Sequence, residues 1–360
     1  MMWPYFVMVG VPALLALLGE SFFNRKTRNR LVVVSFFVIW LTLLCFRSER
    51  LGVDTLNYHT MFIEASRMSY GKIFSSAFSN NIDIGFYLLA KTISIFTMNF
   101  RVMMVVCALI ALVPMLVLYY FEADQYAYLS IVIFLGLGLF SIYFSALRQV
   151  MSVAFVVPAY YFTKNRRFVF FLLMVALAYF IHHSAVIMLL LYPVYHLHFR
   201  LNTNLLLLIP VIILIYIFRV PVFSFLAVFI SDSGKISIKE TGAMLVFVLL
   251  MVFFLFCYAL PDPELLDKDT IGLRNLLFLA AVLQIFAGIN SVAMRMNYYY
   301  LVFVPLLIPR IINYTSEKNR GTARVAFVVM VGFFTVWYFF RAYTTADILH
   351  VYPYIPAWAI

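Results

Sequence analysis

From Trp3 to Tyr343 the chain is a succession of apolar runs, mostly about 15–22 residues long, parted by short polar loops. A helix of that length crosses the roughly 30 Å of hydrocarbon in a bilayer, and in that medium only helices and closed barrels satisfy every backbone polar group. Barrel strands would alternate apolar and polar residues in short segments, which these runs do not. With 65% hydrophobic and 11% charged residues over 360 positions, the apolar surface exceeds what a soluble domain needs. The expected fold is all-α: a polytopic transmembrane helical bundle of about 11–13 membrane helices plus interfacial helices, forming one membrane domain over 1–360.

The formal charge of +11 does not point to nucleic acid, because the basic residues are scattered among apolar segments and form no solvated stripe. Membrane lipid is the expected anionic neighbour. Cys45, Cys107 and Cys257 lie far apart inside apolar runs, so neither a disulfide framework nor a zinc site is expected. The first 23 residues lack a basic leader and run straight into NRKTRNR, which reads as a retained anchor.

Lysine and arginine collect in cytoplasmic loops, and this places NRKTRNR (24–30) inside, between a helix near 4–23 and another near 31–46. Arg47 then emerges outside. The basic stretches 164–167, 198–200, 261–274 and 316–324 also fall inside if 84–98, which is short and interrupted by Lys91, does not cross. The segment 47–101 becomes a first extracytoplasmic loop carrying an amphipathic stretch near 60–78 and an interfacial or re-entrant helix at 84–98. Further crossings are expected near 102–121, 126–145, 149–163, 168–181, 184–197, 204–218, 243–260, 273–289, 297–312 and 325–341, with 221–230 unassigned. Trp3, Trp40, Trp337 and Trp358 fall near the boundaries, as an aromatic belt places them.

This topology gathers polar residues on the outer side: Arg47, Arg50, Asp54, Tyr58 and His59, then Arg148 with Gln149, His182 with His183, and Arg295 with Asn297 and Tyr299. A single arginine at a helix end commonly snorkels to headgroups. Arginines recurring on separate outer ends suit a diphosphate, because each guanidinium forks onto two phosphate oxygens. Asp54 before Thr55 is also good helix-start chemistry, and the two histidines also fit as interfacial residues bonded to backbone. Glu49, Asp54, Glu64 and Asp83 share the outer segment without forming a recognised ligand set, so no metal site or cofactor is assigned and a divalent cation stays an open alternative. No HExxH, CxxC, GxSxG or phosphate-loop motif occurs.

Several of these residues together resemble a known family. The run from Arg47 through Gly52, Asp54, Thr55 and Tyr58 to Phe62 is similar to the first outer loop of the EpsG family, the Wzy-like polysaccharide polymerases. Asp83-Ile-Gly85-Phe86 resembles its acidic-x-Gly-aromatic element, with Asp where Glu is common. LRQ at 147–149, His182 to Ser184, and Arg295 to Tyr299 followed by Pro309 resemble later signatures in the same order. The likeness spans about 31–312. The doubled histidine and the presence of both Arg47 and Arg50 depart from the pattern, and His182 and Arg47 are favoured as the family positions.

The resemblance implies a glycosyltransferase that joins undecaprenyl-diphosphate-linked oligosaccharide repeat units into exopolysaccharide, capsule or O-antigen, in the bacterial cytoplasmic membrane with its site facing outward. The layout is similar to that of GT-C glycosyltransferases, an analogy of arrangement. In this reading Arg148, Arg295, Arg47 and Arg50 bind diphosphate. Asp54 or His182 takes a proton from the attacking hydroxyl, and Arg148 stabilises the leaving group. Tyr58, Gln149, His183, Tyr299 and Asp83 contact the sugars. A flippase and a chain-length regulator are the partners such a pathway implies. Two other classes compete: a transporter or flippase of lipid-linked glycan, which calls for repeats and polar groups at mid-membrane, and a membrane O-acyltransferase acting on glycans, for which His196 and His198 lack an acidic or asparagine neighbour.

Overall fold

The structure is a computed structural model that describes residues 1–80, 83–123, 126–197, 210, 212–227, 244–289, 291–315, 319–344 and 349–359. The chain is all-α as expected. Among the described residues there are no strands, only the isolated bridges Arg47–Pro356 and Pro261–Thr315. Its helices are α1 (Trp3–Leu18), α2 (Arg25–Cys45), α3 (Thr55–Arg67), α4 (Tyr70–Asn80), α5 (Ile84–Phe96), α6 (Phe100–Glu122), α7 (Ala127–Gly136), α8 (Ile142–Ser145), α9 (Leu147–Ala154), α10 (Val156–Lys164), α11 (Phe168–Ile181) and α12 (Leu191–Tyr195). Then come α13 (Arg219–Ala227), α14 (Met244–Ala259), α15 (Lys268–Ala287), α16 (Ser291–Leu301), α17 (Val304–Asn313) and α18 (Arg320–Thr344). Among the described residues, five helical segments are long and apolar enough to span a membrane: Trp3–Ser21, α2, α6, α15 and α18. Shorter apolar helices include α5, α7 and α11.

The chain divides into two compact units. The first comprises Met1–Pro158, Ala176–His183 and Phe327–Ile360, and the second Ala159–Val175 and Ser184–Ala326. In the first, α2 buries Val32, Val33, Phe36, Phe37, Trp40, Leu43 and Leu44 at helical spacing, a stripe that packs on α1, α6 and α7. Trp40 is fully buried, edge-on to Tyr143 with ring centroids 4.5 Å apart. The basic run after α1 is itself helical, since α2 starts at Arg25 behind an Asn24 cap whose side chain accepts from Thr27 N–H at 2.9 Å.

The outer-loop region expected at 47–101 is three helices. In α3, Thr55, Tyr58, Phe62 and Ala65 are buried while Leu56, Asn57 and Thr60 are exposed, so α3 lies with one face on the protein. The amphipathic stretch expected over 60–78 is broken between α3 and α4 at Met68–Ser69. Helix α5 packs against both. With 13 residues it is about 20 Å long, short of the hydrocarbon thickness.

Two expected crossings are interrupted. The run 126–145 ends as α7 at Gly136, turns through Gly138 with φ +75°, and resumes as short α8; 149–163 breaks at Phe155 between α9 and α10. Only Gly adopts that left-handed turn without a Cβ penalty, so an unbroken apolar run does not keep the helix going. The crossing expected at 184–197 is a 3-10 segment, His183–Leu190, followed by α12.

The C-terminal segment is laced onto the first loop and the N-terminus. Ser48, Gly52 and Val53 N–H donate to the carbonyls of Ile355, His350 and Leu349, and Ala357 N–H donates to Phe46. The Met1 ammonium donates to Tyr354 O at 2.8 Å, and Tyr5 hydroxyl bonds Val351 O.

In the second unit α15 is the central helix, packed by α12, α13, α14, α16 and α17. It begins at Lys268, earlier than the crossing expected over 273–289, because Asp267 caps it by accepting from Thr270 N–H at 2.6 Å. Of the crossing expected at 204–218, residues 204–209 and 211 lie outside the described residues, as do 228–230 of the unassigned stretch and 198–200 of the inner loops.

Candidate active site

The first unit concentrates charge at the start of α5. Asp83 precedes that helix without capping it, and its side chain is 5% exposed. Oδ2 accepts from Arg148 Nη1 at 2.7 Å and faces His182 Nδ1 at 3.1 Å. Oδ1 accepts from the His183 backbone N–H and faces His183 Nδ1, both at 3.4 Å. One carboxylate is thus surrounded by a guanidinium and two imidazoles from two other stretches of chain.

Local sequence explains the convergence. A Cβ on Gly85 would sit 2.9 Å from Phe180 O and 3.0 Å from Ile181 Cγ1, so only glycine lets α5 approach the end of α11, where His182 follows. Ser152 Oγ on α9 donates to Ala178 O on α11 at 2.9 Å, which fixes the helix bearing Arg148 against the one leading to His182. The Arg148 guanidinium lies 5.6 Å from the centroid of the buried Tyr58 ring. Tyr87, one turn after Asp83, donates its hydroxyl to Glu64 Oε2 at 3.1 Å.

Burial alone would raise the Asp83 carboxyl pKa. The hydrogen bond from His182 and the charges of His182, Arg148 and His183 outweigh it and hold the group below the usual carboxylate range. In the neutral form of the ring, an Nδ1–H given to Asp83 fixes the orientation of His182 and leaves Nε2 as the proton acceptor. Arg148 Nε is buried without a hydrogen-bond partner among the described residues, an open donor beside the carboxylate.

Asp83, Arg148, His182, His183 and Tyr58 therefore come together. Asp54 precedes α3 half-buried and makes no side-chain cap bond. Arg50 is exposed. Gln149 is 2% exposed and faces the interior. His59 pairs with Glu49 at 2.8 Å and stacks on Phe100. Arg47 is 1% exposed: Nη1 donates to the carbonyls of Leu51, at 3.3 Å, and Phe144. Burial pulls its pKa down to about 10, and its two carbonyl contacts brace the first loop.

In the second unit, Arg295 is half-buried on α16. Tyr299 is fully buried, its hydroxyl 3.1 Å from Ser184 Oγ, and Asn297 donates to Gln284 Oε1 at 2.7 Å and to Ala280 O at 2.9 Å. A second buried carboxylate was not anticipated from the sequence. Asp269 Oδ1 accepts from the hydroxyls of Tyr160 and Tyr195, both at 2.6 Å, while Oδ2 accepts from Lys164 Nζ at 2.9 Å and Arg310 Nη1 at 2.6 Å. Its four donors sit on α10, α12 and α17 at the ends that the basic-loop rule assigns to the cytoplasm. The available signal was an acid at the edge of an apolar run opposite basic residues closing two others. Among the described residues no group of three His, Cys, Asp or Glu is placed to hold a metal ion.

An all-helical, multi-pass membrane protein with a buried Asp–His–Arg centre is the class that fold and site define. The EpsG family model matches residues 29–355, and the chain belongs to the EpsG family. No curated protein and no solved structure matches it. Membership points to a polysaccharide polymerase of the glycosyltransferase kind, with a lipid-linked glycan in the membrane as its class of substrate.

Proposed function

We propose that this protein joins undecaprenyl-diphosphate-linked oligosaccharide repeat units into an exopolysaccharide, capsule or O-antigen chain, on the outer face of the bacterial cytoplasmic membrane. The observation that supports this reading most is the buried Asp83 carboxylate, shared by Arg148 and His182. His182 Nε2 takes the proton from the acceptor hydroxyl as its oxygen attacks the anomeric carbon of the donor. The bond from that carbon to the diphosphate breaks, and its electron pair leaves with the lipid diphosphate. Arg148 donates to the charge that grows there, and because Asp83 and Tyr58 already hold it in place it needs no reorganisation. Asp83 keeps the imidazole aligned and stabilises the imidazolium that forms. Exposed Arg50 contributes to retaining the diphosphate.

The test is a reconstituted reaction. The full chain in nanodiscs is given a synthetic undecaprenyl-diphosphate oligosaccharide, and products are separated by size. Wild type is expected to release lipid diphosphate and form dimers and longer chains. H182A is expected to form none, counted per folded molecule, while still inserting. Wild-type chain growth by H182A removes the histidine from the reaction, and transport of intact substrate across liposomes without chain growth replaces the polymerase reading with a flippase.

A further inference from the structure

Within the first unit, α3 and α4 border a half-open groove of about 480 Å³. Its wall carries Thr60, Glu64 and Arg67 from α3, Met68 from the turn, and Lys72 and Ser76 from α4. The volume falls within the range of about 300–1,000 Å³ typical of small-molecule sites, room for a mono- or disaccharide unit. Glu64 ties it to the reaction centre: it accepts from Tyr87, whose backbone N–H donates to Asp83 O at 3.4 Å one turn earlier on α5.

The wall's chemistry selects the ligand. Two hydroxyls and a carboxylate are hydrogen-bonding partners for sugar hydroxyls, and the largely buried Met68 offers an apolar patch for a ring face. Among the described residues neither the Arg67 guanidinium nor the Lys72 ammonium makes an ion pair. Glu64, Arg67 and Lys72 are all exposed, and two cations against one carboxylate give the groove a net positive charge. A phosphate dianion would meet the Glu64 carboxylate and leave most of the volume unfilled, whereas a monoanion bearing hydroxyls matches both the charge and the space.

We propose that this groove is a saccharide subsite of the same enzyme and that it takes an acidic sugar residue, one carrying a single carboxylate, from the glycan being joined. The assignment rests on the polymerase reading for which glycan is meant, but its test is a binding measurement that needs no catalysis. The full chain in phosphatidylcholine nanodiscs is titrated by saturation-transfer NMR with cellobiouronic acid and, separately, with cellobiose. The acidic disaccharide should bind about tenfold tighter than the neutral one. R67Q/K72Q should erase that preference and leave cellobiose binding unchanged, and E64Q should strengthen uronate binding, a gain that misfolding does not produce.

Equal binding of the two sugars, or a preference that survives R67Q/K72Q, overturns the proposal. Displacement of the uronate by phosphatidylglycerol added to the nanodiscs assigns the groove to lipid headgroups and also overturns it. D83N should still bind the uronate. A wild-type protein that binds it yet elongates no lipid-linked glycan keeps the subsite and loses the polymerase; one that elongates glycans without an acidic preference does the reverse.

Discussion

Arg148 Nη1 donates to Asp83 Oδ2 across 2.7 Å although 65 residues separate them, and the same oxygen faces His182. Removing the carboxylate charge leaves a partly buried guanidinium facing a neutral amide, and truncating one member of such a pair costs about 2–5 kcal/mol. D83N is therefore expected to lower polymer formation at least about a hundredfold, through lost alignment of His182 and a misplaced Arg148. The D83N/R148Q double variant should be about as inactive as either single one, because the two residues act as a unit. Additive losses, read from initial rates in nanodiscs, would show two independent roles.

Acid stability follows from the same carboxylate. Its pKa is held down in the fold by His182, Arg148 and His183 against the burial that raises it. A depressed carboxyl pKa contributes stability that is present above the unfolded value of about 3.9 and is lost as pH falls through the lower folded value. Wild-type and D83N melting temperatures should consequently converge as pH is lowered from about 5 to about 3. Differential scanning of both proteins in detergent checks this, and a gap that stays constant with pH contradicts it.

The Asp269 cluster is expected to govern stability and not turnover. Its carboxylate is nearly buried and satisfies four donors, so D269A leaves two tyrosine hydroxyls, Lys164 and Arg310 around an empty position. A loss of about 3–5 kcal/mol is expected. R310Q should cost more than K164Q, because the Arg310 side chain is 14% exposed and that of Lys164 35%. Thermal melts rank the three, and rates per folded molecule should stay near wild type.

Gly85 tests how tightly the centre is positioned. A Cβ there meets backbone carbonyl oxygen of Phe180 at 2.9 Å, and neither main chain has a flexible end to yield. G85A should push α5 from α11, lengthen the Asp83–His182 contact and cut the rate by about 10²-fold while the protein still inserts. An unchanged rate in G85A would mean that this close approach is not required.

Much of this molecule was legible in its sequence, and what was not has physical causes. Apolar run length fixes the all-helical class, and the pairs Arg148-Gln149 and His182-His183 announce polar chemistry at helix ends. The meeting of Asp83 with Arg148 and His182 is not legible, since sequence gives no measure of the close approach that Gly85 allows. Helix continuity was overestimated over 126–145, because hydropathy does not register the turn at Gly138. The Asp269 cluster draws its donors from positions 160 to 310, and no local pattern encodes such a meeting. Arg47 looked like Arg50; only burial distinguishes them.

That last pair gives the sharpest contrast. Arg47 donates to the interior carbonyls of Leu51 and Phe144, and in R47A the Thr55 hydroxyl, 2.8 Å from the first and 3.3 Å from the second, can donate to only one of them, which leaves the other unsatisfied at about 1–3 kcal/mol. R47A should melt lower and express poorly, and adding diphosphate should neither rescue nor further shift it. Arg50 is exposed, so R50A should melt like wild type. If Arg50 meets the diphosphate, R50A raises KM several-fold at nearly unchanged kcat, and the effect shrinks as salt is added, because an exposed charge is screened over about 10 Å at 0.1 M salt. A salt-independent loss of kcat in R50A would place that guanidinium at the reacting bond, and a normal melt for R47A would release Arg47 from its structural assignment.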